Sequence, residues 1–282
     1  MMNRIEELQK IASQIRRDIV RMVHAQGSGH PGGSLGCADF LTALYFEIMD
    51  HDPQNFTMDG LNNDIFILSN GHISPLFYSV LARSGYFDIK ELATFRTINS
   101  RLQGHPATDK NLPGVRIATG SLGQGLSVAL GAALSKKQNK EDKLVYALTG
   151  DGELQEGQNW EAIMFAAAHK VDNLIVTVDY NRKQIDGPID EVLDLGDLKG
   201  KFEAFGWKTM EMDGNNMKEV VETIKEAQKH TKKQKPIVIL MNTEMGYGVD
   251  YMMGSHKWHG VAPNDEQLAK ALTQLEETMG DF

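Results

Sequence analysis

The stretch KLVYALTGDGELQEGQNWEAIMFAAAHKVDNLIVTVDYN, residues 143–181, decides the fold. Apolar Leu144–Leu148 leads into Gly150-Asp151-Gly152, a helical pattern covers Gly157–Lys170, and a second apolar run, Leu174–Val178, ends in Asp179-Tyr180-Asn181. Two short uninterrupted apolar runs joined by one helix read as neighbouring parallel strands buried on both faces. The alternation continues in both directions. Further strands are expected at Asp64–Leu68, Trp207–Glu211 and Pro236–Met241, and further helices at Ser74–Ser84, Gly123–Lys137 and Met217–His230. The expected fold class is therefore α/β, a parallel sheet with helices on both faces. At the N-terminus, Ile5, Leu8, Ile11, Ile15 and Ile19 recur at helical spacing between charged residues, which predicts an amphipathic helix rather than a signal peptide.

The 282 residues carry no repeat, linker or low-complexity tract, and residues 1–282 are read as one domain. Hydrophobic residues make up 41%, enough for a substantial core. The net charge of -9 argues against nucleic acid as a partner, because phosphate backbones are held by basic surfaces. No apolar run reaches membrane-spanning length. The single cysteine, Cys37, excludes an intrachain disulfide, fits a reducing, cytoplasmic setting, and is read as a small buried hydrophobe.

In open α/β sheets, ligands bind beyond the carboxyl ends of the strands. Those ends read Ser69-Asn70-Gly71-His72, Thr149-Gly150-Asp151-Gly152, Asp179-Tyr180-Asn181 and Asn242-Thr243-Glu244-Met245-Gly246. If the 144–148 and 174–178 strands are neighbours, Asp151 and Asn181 lie side by side. Magnesium takes six oxygens at about 2.0–2.1 Å, drawn from one or two side chains, water and phosphates. A carboxylate, an amide oxygen, a main-chain carbonyl and a diphosphate would complete that shell. The glycines around Asp151 let the backbone approach phosphates, and the following helix N-terminus favours an anion. The alternative is a plain strand-to-helix turn with Asp151 as its cap; Asn181 at the next strand end tips the balance towards metal.

Four of nine histidines have glycine or proline neighbours: His30 in Gly-Ser-Gly-His-Pro-Gly-Gly, His72 in Ser-Asn-Gly-His, His105 in Gln-Gly-His-Pro and His259 in Lys-Trp-His-Gly. A zinc site is one explanation. Hydrogen bonding to sugar hydroxyls, a diphosphate and a developing oxyanion is the better one, because no close ligand pair is found among these four. His24, His51, His169, His230 and His256 are read as structural or surface residues.

The Gly150-Asp151-Gly152…Asn181 arrangement resembles the thiamine diphosphate signature. The series Gly29-His30-Pro31-Gly32, Leu68-Ser69-Asn70-Gly71-His72, Gly104-His105-Pro106, Gly120-Ser121-Leu122-Gly123-Gln124-Gly125, Asn181 with Ile185-Asp186-Gly187, Gly246-Tyr247-Gly248 and His259-Gly260 resembles the transketolase family along nearly the whole chain. The resemblance implies the thiamine diphosphate-binding fold, specifically its diphosphate-binding domain. It implies a divalent ion, Mg2+ or another such as Ca2+ or Mn2+, held by Asp151, Asn181 and the carbonyl of Lys183. It places His72, His259 and the Gly152 backbone at the diphosphate, the backbone of Gly120 and Leu122 at the aminopyrimidine, and Met245 against the cofactor. His30, His105 and His259 would serve the sugar hydroxyls and the reacting carbons. Glu156 and Glu161 fall where the family links two active sites across a dimer; the plain reading of both is a solvated helix face.

The resemblance also implies an activity: transfer of a two-carbon ketol unit from a ketose phosphate to an aldose phosphate. In the family, a pyrimidine-binding domain supplies the glutamate that activates the aminopyrimidine, and a C-terminal domain follows it. Neither is found here. The chain is thus expected to be the N-terminal subunit of a two-chain transketolase, inactive alone, self-associating as a dimer and forming a heterotetramer with a C-terminal subunit. Pentose phosphates, and with them the pentose phosphate pathway, are the default substrates; a branched or sulfonated sugar is the alternative. The competing readings are deoxyxylulose-phosphate synthase, the alpha subunit of a 2-oxo acid dehydrogenase, and a non-catalytic assembly subunit.

Overall fold

Asn3 and Glu6 form a capping box that starts helix α1 (Arg4–Gln26), and Gly27 stops it in the left-handed conformation at φ 58°. The computed structural model describes residues 3–282. After α1 come α2 (Pro31–Gly36), α3 (Ala38–Ala43) with a π-helical extension at Leu44–Ile48, β1 (Ile65–Leu68), α4 (Ser74–Arg83) and α5 (Gly125–Gln138). Strand β2 (Val145–Gly150), α6 (Gly157–Ala168) and β3 (Leu174–Tyr180) form the unit read first from the sequence. The remainder is β4 (Lys183–Gln184), β5 (Gly187–Pro188), α7 (Ile189–Val192), α8 (Leu198–Ala204), β6 (Lys208–Asp213), α9 (Met217–His230), β7 (Ile237–Asn242) and α10 (Asp265–Gln274).

All five expected strands join one sheet in the order β1-β2-β3-β7-β6. Every pairing is parallel, and Gly150 of β2 stands opposite Asp179 of β3. Their side chains alternate between two apolar layers, as the period of a strand requires. Phe66, Leu68, Tyr146, Leu148, Ile239 and Met241 face the layer built from α1, α3, α4 and α9. Ile65, Ile67, Val145, Ala147, Val176, Val178, Val238 and Leu240 face α5, α6 and α8. The two-faced parallel sheet is as expected. The edge strand β6 is mostly exposed, with Met212 its one buried residue.

Helix α1 is fixed by ion pairs as well as by its apolar stripe. Asp18 accepts from Arg83 at 2.5 Å, and Arg17 reaches Asp281 at 2.8 Å, which ties the C-terminal residues to the first helix. Cys37 is fully buried, as a small hydrophobe would be. No helix among the described residues is long and apolar enough to cross a membrane.

Three local features depart from the expected elements. The glycine-rich segment 31–36 is helical, although two adjacent glycines and proline carry no helical period. Two-residue strands β4 and β5 form a small hairpin just past Asn181, too short to leave an alternating pattern. Finally, the turn after Gly150 is a short 3-10 helix, Gly152–Gln155, ahead of α6, which starts at Gly157 as expected. The N–H groups nearest the Gly-Asp-Gly turn thus belong to this single 3-10 turn rather than to α6.

Candidate active site

The ends of β1, β2, β3 and β7 meet the loop before α2 around a cavity of about 340 Å³. It is lined by His30, His72, Gly120, Leu122, Asp151, Gly152, Asn181, Lys183, Met245 and His259. All the site residues singled out in the sequence are therefore gathered there except His105. That ring lies 6.3 Å from the ring of His30 and backs onto Gly120. Gly120 has φ +113°, and a Cβ there would fall 2.4 Å from the His105 ring, so only glycine lets the 120–123 loop pass.

Asp151 and Asn181 are neighbours because β2 and β3 pair in register. The Asp151 carboxylate is only 2% exposed. It accepts from the backbone N–H of Gly152 at 2.7 Å and of Arg182 at 2.6 Å. The capping arrangement is thus present on this side chain. Asn181 donates from Nδ2 to Asp179 at 2.8 Å, and its Oδ1 accepts from the Lys183 N–H at 2.8 Å. The Lys183 ammonium turns away to Glu244 at 2.8 Å, so its charge is neutralised outside the cavity.

Burial, with Asp179 beside it, pushes the Asp151 carboxyl up to about 8. Burial raises Asp179 as well, opposed by hydrogen bonds from Thr243 and Asn181. Two desolvated carboxylates side by side are what a bound cation would stabilise. The residues present fit a divalent ion on that ground. They do not fit zinc: no group of three or more His, Cys, Asp or Glu among the described residues is placed to hold a metal. The four-histidine zinc alternative falls with that.

The histidines do converge. Ring centroids lie 5.1 Å apart for His30 and His72, 5.6 Å for His30 and His259, and 5.1 Å for His72 and His259. Burial and the neighbouring His259, Arg96 and His105 push His30 down to about 4. Burial likewise lowers His72, His105 and His259. Burial thus favours the neutral imidazole in all four, and a neutral imidazole can donate from one nitrogen and accept at the other. Nδ1 of His30, Nδ1 of His259 and Oδ1 of Asn70 are buried without a hydrogen-bond partner. Native interiors rarely leave such atoms unpaired. Three of them around one cavity fit a polar ligand such as a diphosphate-bearing cofactor with a sugar.

The other five histidines have local roles. His51 stacks on Tyr86 and bonds Tyr45, His169 stacks on Phe165, and His24 pairs with Asp265. His230 pairs with Glu226 on α9, and His256 lies in the short turn before His259. Glu156 and Glu161 are both exposed at the start of α6. Two acidic lining residues received no role in the sequence reading, Glu153 and Asp179. Both are acidic and within two residues of a singled-out position, and an acidic residue in a turn is ordinarily solvated.

Residues 7–278 match the family described as "Transketolase, thiamine diphosphate binding domain". An apulose-4-phosphate transketolase subunit of Actinobacillus succinogenes is 39% identical over 273 residues, covering 96% of this chain and 97% of that one. A 6-deoxy-6-sulfo-D-fructose transketolase subunit of Clostridium sp. is 38% identical over 271 residues, covering 96% of this chain and 97% of that one. The transketolase of Campylobacter jejuni superposes with a TM-score of 0.89 at 36% identity, over 98% of this chain but 43% of its own.

Proposed function

Because the chain belongs to the transketolase family, as its thiamine diphosphate-binding domain, we propose that it is the N-terminal subunit of a two-chain transketolase. The reaction is transfer of a two-carbon ketol unit from a ketose phosphate to an aldose phosphate. The observation that carries this reading is the convergence of His30, His72 and His259, with His105 beside His30, on the cavity that Asp151 and Asn181 line. When bound, thiamine diphosphate supplies the nucleophilic carbon that takes up and passes on the two-carbon unit.

Each residue of the chain has a task in that reading. Asp151, Oδ1 of Asn181 and the carbonyl of Lys183 hold a divalent ion, Mg2+ with Ca2+ and Mn2+ as alternatives. His72, His259 and the Gly152 N–H hold the diphosphate. The backbone at Gly120 and Leu122 holds the aminopyrimidine, and Met245, fully buried, packs against the cofactor. His30, His105 and His259 bind the sugar hydroxyls and move protons at the substrate oxygens. Neutral imidazoles suit that task, because one nitrogen can give a proton while the other takes one.

The partner is a C-terminal subunit that carries the pyrimidine-binding domain, and residues 1–282 form a single diphosphate-binding domain. Leu122, Val128, Met164 and Phe165 support this reading: they are 38–56% exposed on α5, α6 and the loop at the cavity rim. A second copy and the partner subunit would cover them in a heterotetramer, bringing Glu156 and Glu161 to the junction. The named activities of the two-chain relatives support a ketose phosphate or a sulfonated counterpart as donor. A reducing, cytoplasmic setting suits the lone buried Cys37. Titration calorimetry of the assembled complex with thiamine diphosphate and Mg2+, followed by a ketol-transfer assay over pentose, branched and sulfonated ketoses, tests the reading. A complex that binds no cofactor overturns it.

A further inference from the structure

Glu153 lies next to the Gly-Asp-Gly turn, yet its carboxylate points into the protein and is 2% exposed. Its partners among the described residues are three donors and no cation. Oε1 accepts from the Ser69 hydroxyl and from the Gly123 N–H, the latter at 2.9 Å. Oε2 accepts from the Gly150 N–H at 3.1 Å. The three donors belong to three different segments: the end of β1, the loop before α5, and the end of β2. Asn159 of α6 fixes the other end of the residue by donating to the Glu153 carbonyl at 2.6 Å.

These segments are the ones that line the cavity. Ser69 precedes Asn70 and His72. Gly123 closes the loop that presents Gly120 and Leu122. Gly150 precedes Asp151 and Gly152. The space between them is tight: a Cβ on Gly125 would fall 2.5 Å from Ser69 Oγ, so the β1 end and the α5 start already touch. A carboxylate is the side chain suited to this junction, because its oxygens accept at several points and donate at none.

We infer that Glu153 is a positioning residue for the cofactor: its buried carboxylate ties the Ser69, Gly123 and Gly150 segments together and so holds the diphosphate end and the aminopyrimidine end of the site in one register. The inference rests on the thiamine diphosphate reading above. Glu153 acts through the backbone it holds and touches no reacting atom. Replacing it by glutamine keeps the shape but turns one acceptor into a donor, which then faces an N–H or O–H donor. At least one of the three segments is released.

The test compares wild type, Glu153→Gln and Ser69→Ala as assembled complexes with the partner subunit. Titration calorimetry with thiamine diphosphate and Mg2+ gives the Kd, thermal unfolding without cofactor gives the melting temperature, and kinetics give kcat at saturating cofactor. Groups that orient a site from behind it are typically worth about 10–100-fold in affinity. The expected result is a Kd raised within that range in Glu153→Gln and less in Ser69→Ala, which removes one donor of three. Most of kcat should return at saturating cofactor. Wild-type binding with an unchanged Kd in both variants overturns the inference, as does a lowered melting temperature with an unchanged Kd. If Glu153→Gln does not fold, Ser69→Ala decides by the same two readouts. Failure of the wild-type complex itself to bind would overturn the cofactor reading, and this inference with it.

Discussion

Asp179 fixes which way the amide of Asn181 faces: Nδ2 donates to Asp179 Oδ2 at 2.8 Å while Oδ1 accepts from the Lys183 N–H. Flipping the amide would set oxygen against oxygen on one side and N–H against N–H on the other. Asp179 is itself held by Thr243 at the end of β7. The strand after the crossover and the strand beside it therefore fix the orientation of one amide on the wall of the cavity that Asp151 also lines. A neighbour that fixes one side chain's orientation in this way preorganises it for whatever that side chain binds.

The first prediction concerns that pair. Asp151→Asn removes the charge and leaves an acceptor for only one of the Gly152 and Arg182 N–H groups, which bond to separate carboxylate oxygens. Affinity for thiamine diphosphate in the presence of Mg2+ should fall roughly a hundredfold or more, since a ligand should cost at least as much as the outer-shell partners, which are worth about 10–100-fold. The melting temperature without cofactor should stay close to wild type. The strand-end position suggests an exposed loop, but Asp151 is buried. The cost to the fold is limited because one backbone hydrogen bond is kept and removal of a buried charge offsets part of the loss of the other. Calorimetry and thermal unfolding on the same samples check both halves.

The histidines divide into two groups with different expected costs. His105→Ala and His259→Ala each remove a neutral imidazole beside the His30 ring, and kcat/KM for the ketose should fall about 10²-fold or more. His230→Ala removes a side chain whose partner is Glu226 on the same helix, and the rate should hardly change. Steady-state kinetics on the three complexes settle it. Equal losses in all three would remove the case for the Gly/Pro-flanked histidines.

A pH prediction follows from His30. Its folded value is pushed down to about 4, below the ordinary 6.5, so between these values the unfolded chain binds the extra proton. Stability must then fall as pH drops from 6.5 towards 4, and the contribution of His30 is fully present above 6.5. Buried carboxylates whose values are raised, such as Asp18, act in the opposite direction. A difference measurement isolates the histidine. The melting temperature of His30→Asn relative to wild type should rise as pH is lowered from about 7 to about 5. A difference independent of pH would mean that His30 is as easily protonated in the fold as out of it.

Much of this architecture is legible in the sequence because it depends on local pattern. Four of the five strands, β1, β2, β3 and β7, are short apolar runs, and the ends of β2 and β3 carry the two residues whose proximity follows from parallel neighbours. The histidines were selected by their glycine and proline neighbours, and four distant segments bring them together around one cavity. What stayed hidden depends on tertiary burial. Glu153 and Asp179 look like ordinary acidic turn residues until three donors close round the first and Thr243 and Asn181 round the second. The β4–β5 hairpin is too short for a period, and helix α2 is held by packing against α1 and α4 rather than by propensity.

The last prediction is that this chain alone turns nothing over and binds the cofactor weakly. Its cavity offers imidazoles, two buried carboxylates and backbone donors, which suit a metal, a diphosphate and sugar hydroxyls. Activating the aminopyrimidine calls for a further carboxylate against that ring. Glu153, the other buried acid at the cavity, is already committed to Ser69, Gly123 and Gly150. The site also has to be closed against water, because its hydrogen bonds strengthen as solvent leaves. The rim residue Leu122, with Val128 on α5 and Met164 and Phe165 on α6, leaves apolar side chains exposed that such a closure would cover. Each chain should therefore be purified separately and assayed alone and mixed. Ketol transfer should appear only in the mixture, and the cofactor Kd should tighten on mixing. Phe165→Glu places a charge in the covered patch, so it should weaken assembly and lower activity at low protein concentration, with recovery at high concentration. Full turnover by the isolated chain would show that the missing carboxylate comes from this chain after all, and would overturn the two-chain reading.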